Sequence, residues 1–382
     1  MNIHPTGTWA EVRAALSGPF LRVRDAFSAD KPFPVGLRFS AQALEDLRDL
    51  GARAELKDLL GRERLLAVTV NGFPYGPFHG TRVKEDVYRP DWREPERLRY
   101  TCELADLMAE IAPEGEIVSL STVPGCFRDL AEGQEDLIAD NLLKAAAHLV
   151  ALERRTGVTV ALAIEPEPAC MLETIAETVS FFCDRLFGSA GITRLSELAK
   201  LDLDQAKAAL PRHLGLCYDV CHAAVEFENP EESITLLRDA GIPVHKLQLS
   251  AALRIPVVSP ETRKALENFS EPVYLHQVIG QRESGLYRAL DLPDALGRGA
   301  DADGEEWRVH FHVPIFLKDL GAFESTRDFL EDILALHRTS PISRHLEVET
   351  YTWDVLPERL RTDSMEMAIV RELSWVADQL QS

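Results

Sequence analysis

The sequence predicts a parallel (β/α)8 barrel, and two observations carry that prediction. Short runs rich in Val, Ile and Leu alternate with longer segments whose apolar residues recur at helical spacing, the pattern of a parallel sheet wrapped by helices. Eight such alternations occupy 382 residues, toward the long end of the barrel size range. A doubly wound open sheet is the alternative arrangement for the same pattern.

The strands are expected at Val35 to Phe39, Leu65 to Val70, Glu116 to Leu120, Thr159 to Ile164, Leu214 to Tyr218, Val244 to Leu249, Val309 to Val313 and His345 to Val348. Helices are expected at Ala41 to Leu60, Pro95 to Ile111, Leu137 to Arg154, Glu173 to Phe187, Ile192 to Leu210, Glu231 to Asp239, Ser325 to Leu336 and Asp363 to Leu380, with Ser40 capping the first. A ninth strand-like run, Val273 to Val278, is assigned with Gly285 to Leu290 to a hairpin inserted within 271–306, ahead of the polar GRGADADGEE. Residues 71–92 (NGFPYGPFHGTRVKEDVYRPDW) form a second insertion, too rich in Gly, Pro and aromatics for regular structure. A long loop of that kind in a compact domain is more often functional than idle. No repeat or linker interrupts the pattern, so 1–382 reads as a single domain.

A composition 46% hydrophobic and 27% charged supports a large core and excludes a disordered chain. The net charge of −21, with no basic run, argues against a nucleic-acid partner, whose phosphates need clustered Lys and Arg. No apolar stretch approaches the ~18 residues of a membrane span. The first residues, MNIHPTGTWAEVRAAL, lack a basic segment followed by an apolar one, so a cytoplasmic location is expected. Six cysteines without CxxC pairs are expected to be free thiols.

In a barrel, chemistry gathers at the carboxyl ends of the strands. Strand four ends in AIEPEP, placing Glu165 after an apolar run, and strand five ends in LCYDVCH, with Asp219 and His222 three apart. Strand six carries His245 and Gln248 in VHKLQLS. In HFHVP, His310 and His312 share a strand face, as Glu347 and Glu349 do in HLEVETYTW. Each has a plainer role: a helix cap for Asp219, core imidazoles for His310 and His312, packing for Cys217 and Cys221, a loop and a helix start for Glu167 and Glu173. Independent caps have no reason to collect on five consecutive strand ends. Converging oxygen and nitrogen donors suit a divalent cation, with Mn²⁺, Mg²⁺, Co²⁺ and Zn²⁺ all compatible.

Glu165 in an EP pair, Asp219 and His222 as D-x-x-H, and Glu349 in E-T-Y resemble the xylose isomerase-like barrel superfamily of sugar isomerases and epimerases, with its related metal-dependent endonucleases. More narrowly, NGFPYGPFHG, STVPGCF, CYDVCHAAVEFE, HFHVP and LEVETYTW resemble the metabolite-traffic family of the ebo cluster. The resemblance implies metal ligation by Glu165, Asp219 and Glu349, with Gln248 where the epimerases place a histidine. It implies that His222 contacts substrate or a second metal. His310 and His312 stand where the endonucleases carry Asp-x-His, and Asn71 and Ser121 where those enzymes carry histidines, so a complete three-metal cluster is not expected. His79, from the 71–92 loop, His245, His310, His312 and Glu347 are the candidates for a second site or for substrate contacts.

The expected function is a divalent-metal-dependent isomerase or epimerase of a small sugar- or cyclitol-like metabolite. Glu165 and Glu349, on strands four and eight, are expected to flank the substrate and move its proton, with His222 beside them. Phe73, Tyr75, Phe78 and Trp353 are candidates to cover it, and Arg38, Lys84 and Lys246 to meet an anionic group. A non-catalytic binding or traffic protein on the same barrel is the main alternative, and the charge disfavours a phosphodiesterase or endonuclease. The expected partner is a small molecule, and a homo-oligomer is compatible with the sequence.

Overall fold

The computed structural model describes residues 3–28, 31–76, 84–353, 355–357 and 364–381. Its strands are β1 (Phe33–Arg38), β2 (Leu65–Asn71), β3 (Val118–Thr122), β4 (Val160–Ile164), β5 (Leu214–Asp219), β6 (Val244–Leu249), β7 (Ala252–Ile255), β8 (Val278–Arg282), β9 (Gly285–Ala289), β10 (Glu306–His312), β11 (Glu324–Ser325) and β12 (Leu346–Val348). Seven of them form one parallel sheet in the order β1-β2-β3-β4-β5-β6-β12. The order never reverses, which distinguishes a barrel from a doubly wound sheet. The two end strands meet where any side chain on Gly36 would collide with the Glu347 carboxylate, so glycine at this position lets the sheet curl to near closure. Every residue of β3, β4 and β5 is buried, as expected of parallel strands covered on both faces.

The expected parallel barrel therefore forms, with seven strands instead of eight. The run expected as strand seven, Val309 to Val313, belongs mostly to β10, which lies in a second, antiparallel sheet ordered β11-β7-β10-β8-β9. β7 and β8 occupy the two edges of β10 through antiparallel ladders. With no edge left to enter the barrel, β10 leaves β6 to pair directly with β12, Glu347 opposite Gln248. Hydrophobic periodicity reports which residues are buried and not which strand they pair with, so the sequence could not show this exchange. The expected hairpin is β8–β9, beginning at Val278, later than the expected Val273.

Most helices fall near their expected places, including Pro95–Ile111 and Pro230–Asp239. Two long expectations are split by caps. Asp49 accepts from the Ala52 amide and starts Leu50–Arg62 after Ala41–Asp46, and Asp202 starts Leu203–His213 after Ser189–Ala199. Ser40 caps its helix as expected, accepting from the Ala43 amide at 3.1 Å. The helices Trp9–Ser17 and Pro19–Ser28 were not anticipated. Among the described residues no helix is long and apolar enough to cross a membrane.

The last helix, Met365–Gln381, is tied to the barrel mouth by Glu372. This buried carboxyl accepts from the Thr350 hydroxyl at 2.7 Å and the Ile315 amide at 3.2 Å. Burial pushes its pKa up to about 7. A carboxyl raised in the folded state binds more protons folded than unfolded between its ordinary range and pH 7, so its contribution is fully present at low pH and lost as pH rises through about 7. Glu372→Gln is therefore expected to gain stability over wild type at pH 8, by about 2 kcal/mol, and to lose that advantage near pH 4.5. Urea unfolding at the two pH values tests this; an advantage that does not shrink on acidification defeats it.

Candidate metal centre at the barrel mouth

The centre is built on strand ends. Glu165 follows β4, Asp219 ends β5, Gln248 lies in β6 and Glu349 follows β12, and all four side chains point to the barrel axis. The Gln248 amide joins them: its Nε2, with two hydrogens to share among three acceptors, lies 2.8 Å from Glu165 Oε1, 2.8 Å from Asp219 Oδ2 and in a very short contact with Glu349. On its other side Gln248 Oε1 accepts from the Cys217 thiol at 3.0 Å. Ligand atoms of Glu165, Asp219 and Glu349 lie within 4.8 Å of one another. Glu165 and Glu349 both reach the axis of a narrow barrel and meet there.

Asp219 has both roles weighed for it. Its Oδ1 caps the helix Val220–Val225, accepting from the Cys221 amide at 2.7 Å and the His222 amide at 3.2 Å, and also accepts from Ser250 Oγ at 2.6 Å. Its Oδ2 faces the centre.

Three imidazoles lie above. Each has its Nδ1–H engaged: His222 donates to Pro166 O at 2.8 Å, His310 to Gln277 Oε1 at 2.7 Å and His312 to Glu349 O at 2.7 Å. Oriented in this way, their Nε2 atoms are left for ligands or protons. His222 and His310 meet Nε2 to Nε2 at 3.1 Å, a contact that needs one proton between them. Burial opposes charge on His222, but Asp219, Glu167 and Glu165 outweigh it and raise its pKa, so His222 is the donor. Burial depresses His310 strongly and His312 to about 4, so both are neutral.

Charge shows what the centre lacks. Glu165, Glu167, Asp219, Glu347 and Glu349 are all buried or nearly so, against two permanent cations, Lys246 and Arg38. Burial, then the neighbouring charges of Glu165 and Asp219, raises the Glu349 pKa well above the carboxylate range. Burial also raises Glu165, while at Asp219 the pull of His222 and the hydrogen bonds from Ser250 and Gln248 overcome burial and lower it. Among the described residues, Glu165 Oε2 and His312 Nε2 are buried without a hydrogen-bond partner. Crowded carboxyl groups pushed toward their protonated forms and unpartnered donor atoms are what a divalent cation would satisfy on displacing those protons, so the residues fit one. Glu165, Asp219 and Glu349 form one donor set, and Asp219, His222 and His312 an adjoining one. The surrounding chamber has a volume of about 60 Å³ and a cover that includes Phe73, Tyr88, Tyr274 and Tyr351.

Other expected site residues lie elsewhere. His245 points away from the axis, its Nε2 3.1 Å from Pro211 O, where Gly215 leaves room for the ring. Glu347 lies below the centre, paired with Lys246 at 2.6 Å, so Lys246 is not available to an anionic ligand. Lys84 pairs with Asp291, and Arg38 holds Thr6 and Gly76 at the chamber wall. Tyr75 packs on Tyr100, and Trp353 lines a different cavity. His79 and Phe78 lie outside the described residues.

Glu167, Tyr88 and Gln277 were missed. Tyr88 donates to Glu167 Oε1 at 2.7 Å and Gln277 Nε2 donates to Tyr88 at 3.0 Å, completing a chain from His310 to Glu167. Burial, partly offset by His222, puts the Glu167 pKa at about 7. The repeated Glu-Pro in EPEP was the available signal for Glu167; nothing local marks Gln277 or Tyr88.

These features define a parallel barrel with a buried cluster of carboxylates and imidazoles at its mouth. Neither a protein-family profile nor a curated protein sequence matches the chain. Among solved structures it is similar to a xylose isomerase-like TIM barrel protein from Mycobacterium smegmatis in complex with magnesium (13% identity, 94% of this chain and 86% of that one, TM-score 0.48). It is also similar to an L-ribulose 3-epimerase (12%, 100% and 92%, TM-score 0.48) and to the IOLI protein with a bound zinc atom (13%, 94% and 91%, TM-score 0.45). Likeness this distant says nothing about chemistry, and the barrel assignment rests on the strand order.

Proposed function

We propose that the protein is a divalent-metal-dependent isomerase or epimerase of a small sugar- or cyclitol-like metabolite. The observation that carries the reading is the buried meeting of Glu165, Asp219 and Glu349 beside three imidazoles whose Nε2 atoms face the same space. Glu165, Asp219 and Glu349 would hold the cation, with Gln248 available through its oxygen if the amide turns, and His222 and His312 adjoining. A bound cation there stabilises negative charge developing on a substrate oxygen. Glu165, with an unpartnered oxygen, would accept a carbon-bound proton, and Glu349, across the Gln248 amide, is placed to return one. His222, oriented by Pro166 and sharing its Nε2 proton with His310, would set a charged imidazole beside the substrate oxygen. The chamber admits only a few atoms as it stands, so its aromatic cover must part for a sugar.

The test is proton exchange. Metal-loaded protein in deuterium oxide is expected to incorporate deuterium at the carbon beside the carbonyl of a cognate sugar or cyclitol, read by NMR, and Glu165→Gln is expected to stop it. Failure of exchange across a broad panel, with metal bound, counts against catalysis and leaves a metabolite-binding or traffic protein. Gln248 favours that second reading, since its amide hydrogens lie where the cation would.

A further inference from the structure

The described residues leave a cavity of about 580 Å³ at the seam where β12 and β1 come together, far larger than the chamber. Its walls include Leu66 and Val68 on β2, Leu346 and Val348 on β12, and Phe20 and Leu373 from the flanking helices Pro19–Ser28 and Met365–Gln381. The seam strands show it in their burial. All three residues of β12 are only half-buried, as are Leu66 and Val68, whereas β3, β4 and β5 are wholly buried.

Left unfilled, the cavity's apolar walls would face water, at a cost of about 25 cal/mol for each Å² of apolar surface exposed. Three polar groups of the wall are already engaged, Glu347 by Lys246, Glu372 by Thr350 and His345 by Ser119, while Trp353 Nε1 is buried without a hydrogen-bond partner and offers a donor to an occupant. The volume lies within the range of small-molecule sites, about 300–1,000 Å³. Its carboxylates disfavour an anion. Glu349 lines both this cavity and the chamber, so the two share a wall.

We propose that the seam cavity binds the neutral, apolar part of a small molecule whose polar end reaches Glu349 and the chamber. The identity of that polar end rests on the function proposed above; the apolar site does not.

The neutral dye N-phenyl-1-naphthylamine is the probe. Its fluorescence is expected to rise saturably, at one dye per chain, on titration with the full-length protein. Leu373→Phe and Val68→Phe, which fill the cavity from opposite walls, are each expected to weaken binding by about tenfold or more. Should neither variant fold, energy transfer to the dye in wild type decides, through its reduction in Trp353→Phe. Glu165→Ala, which removes a metal ligand, is expected to bind the dye as wild type does, so failure of metal binding and failure of this site are distinguishable. Absence of saturable binding, unchanged affinity in both filled variants, or energy transfer indifferent to Trp353 overturns the proposal.

Discussion

Asp219→Ala is expected to abolish retention of divalent metal and, independently, to lower stability by about 2–4 kcal/mol. The metal effect follows because Asp219 belongs to both donor sets, the carboxylates with Glu165 and Glu349 and the mixed set with His222 and His312. The stability effect follows from its other oxygen, which accepts from two amides and the Ser250 hydroxyl in a buried place where water cannot replace it. Asp219→Asn separates the two. Its amide oxygen keeps the cap, while its nitrogen faces the Gln248 amide where a cation would sit, so stability is expected to recover and metal retention is not. Mass-spectrometric metal content after reconstitution with Mn²⁺, Co²⁺ or Zn²⁺, beside urea unfolding in chelator, reads both effects. Metal retained by Asp219→Ala, or never taken up by wild type, would remove the cation from this site.

Lys246→Met is expected to cost about 3–5 kcal/mol, comparable with the net stability of many domains. The ammonium is wholly buried on the barrel floor, 2.6 Å from Glu347. Burial opposes its charge, yet Glu347 first and then Cys217, Glu349 and Glu165 overcome this and raise its pKa. Removing it leaves Glu347, whose side chain is only 11% exposed, without its ion-pair partner. The double variant Lys246→Met with Glu347→Gln is expected to recover part of the loss, because no charge is then left buried alone. A loss below about 1 kcal/mol in the single variant, measured by urea unfolding, would show that the floor is wetter than the structure indicates.

The candidate site was legible residue by residue to an uneven degree. Glu165, Asp219, Gln248 and Glu349 stand at strand ends, where a polar residue interrupting an apolar run is visible in a single sequence. His310 and His312 were recognised as sharing a face, and they reach the centre, but from a different sheet. His245 shows the limit of the method. One residue's difference in register turns a side chain to the other face, and the alternation of VHKLQLS does not say which face is inward. Glu167, Tyr88 and Gln277 come from three separate segments and acquire meaning only by meeting.

The sequence by itself determined the alternation of strands and helices, most helix limits, the caps at Ser40 and Asp219, and the collection of carboxylates and imidazoles at strand ends. These are local properties, governed by side-chain period, backbone capping and the cost of interrupting a buried run. Tertiary structure alone decided that β10 is held between β7 and β8, that the barrel closes with seven strands over a seam cavity, and that Glu165 and Glu349 meet at the Gln248 amide. Those outcomes depend on competition between strand edges and on distances across the barrel axis, between residues far apart in the chain, and no local pattern encodes which competitor wins.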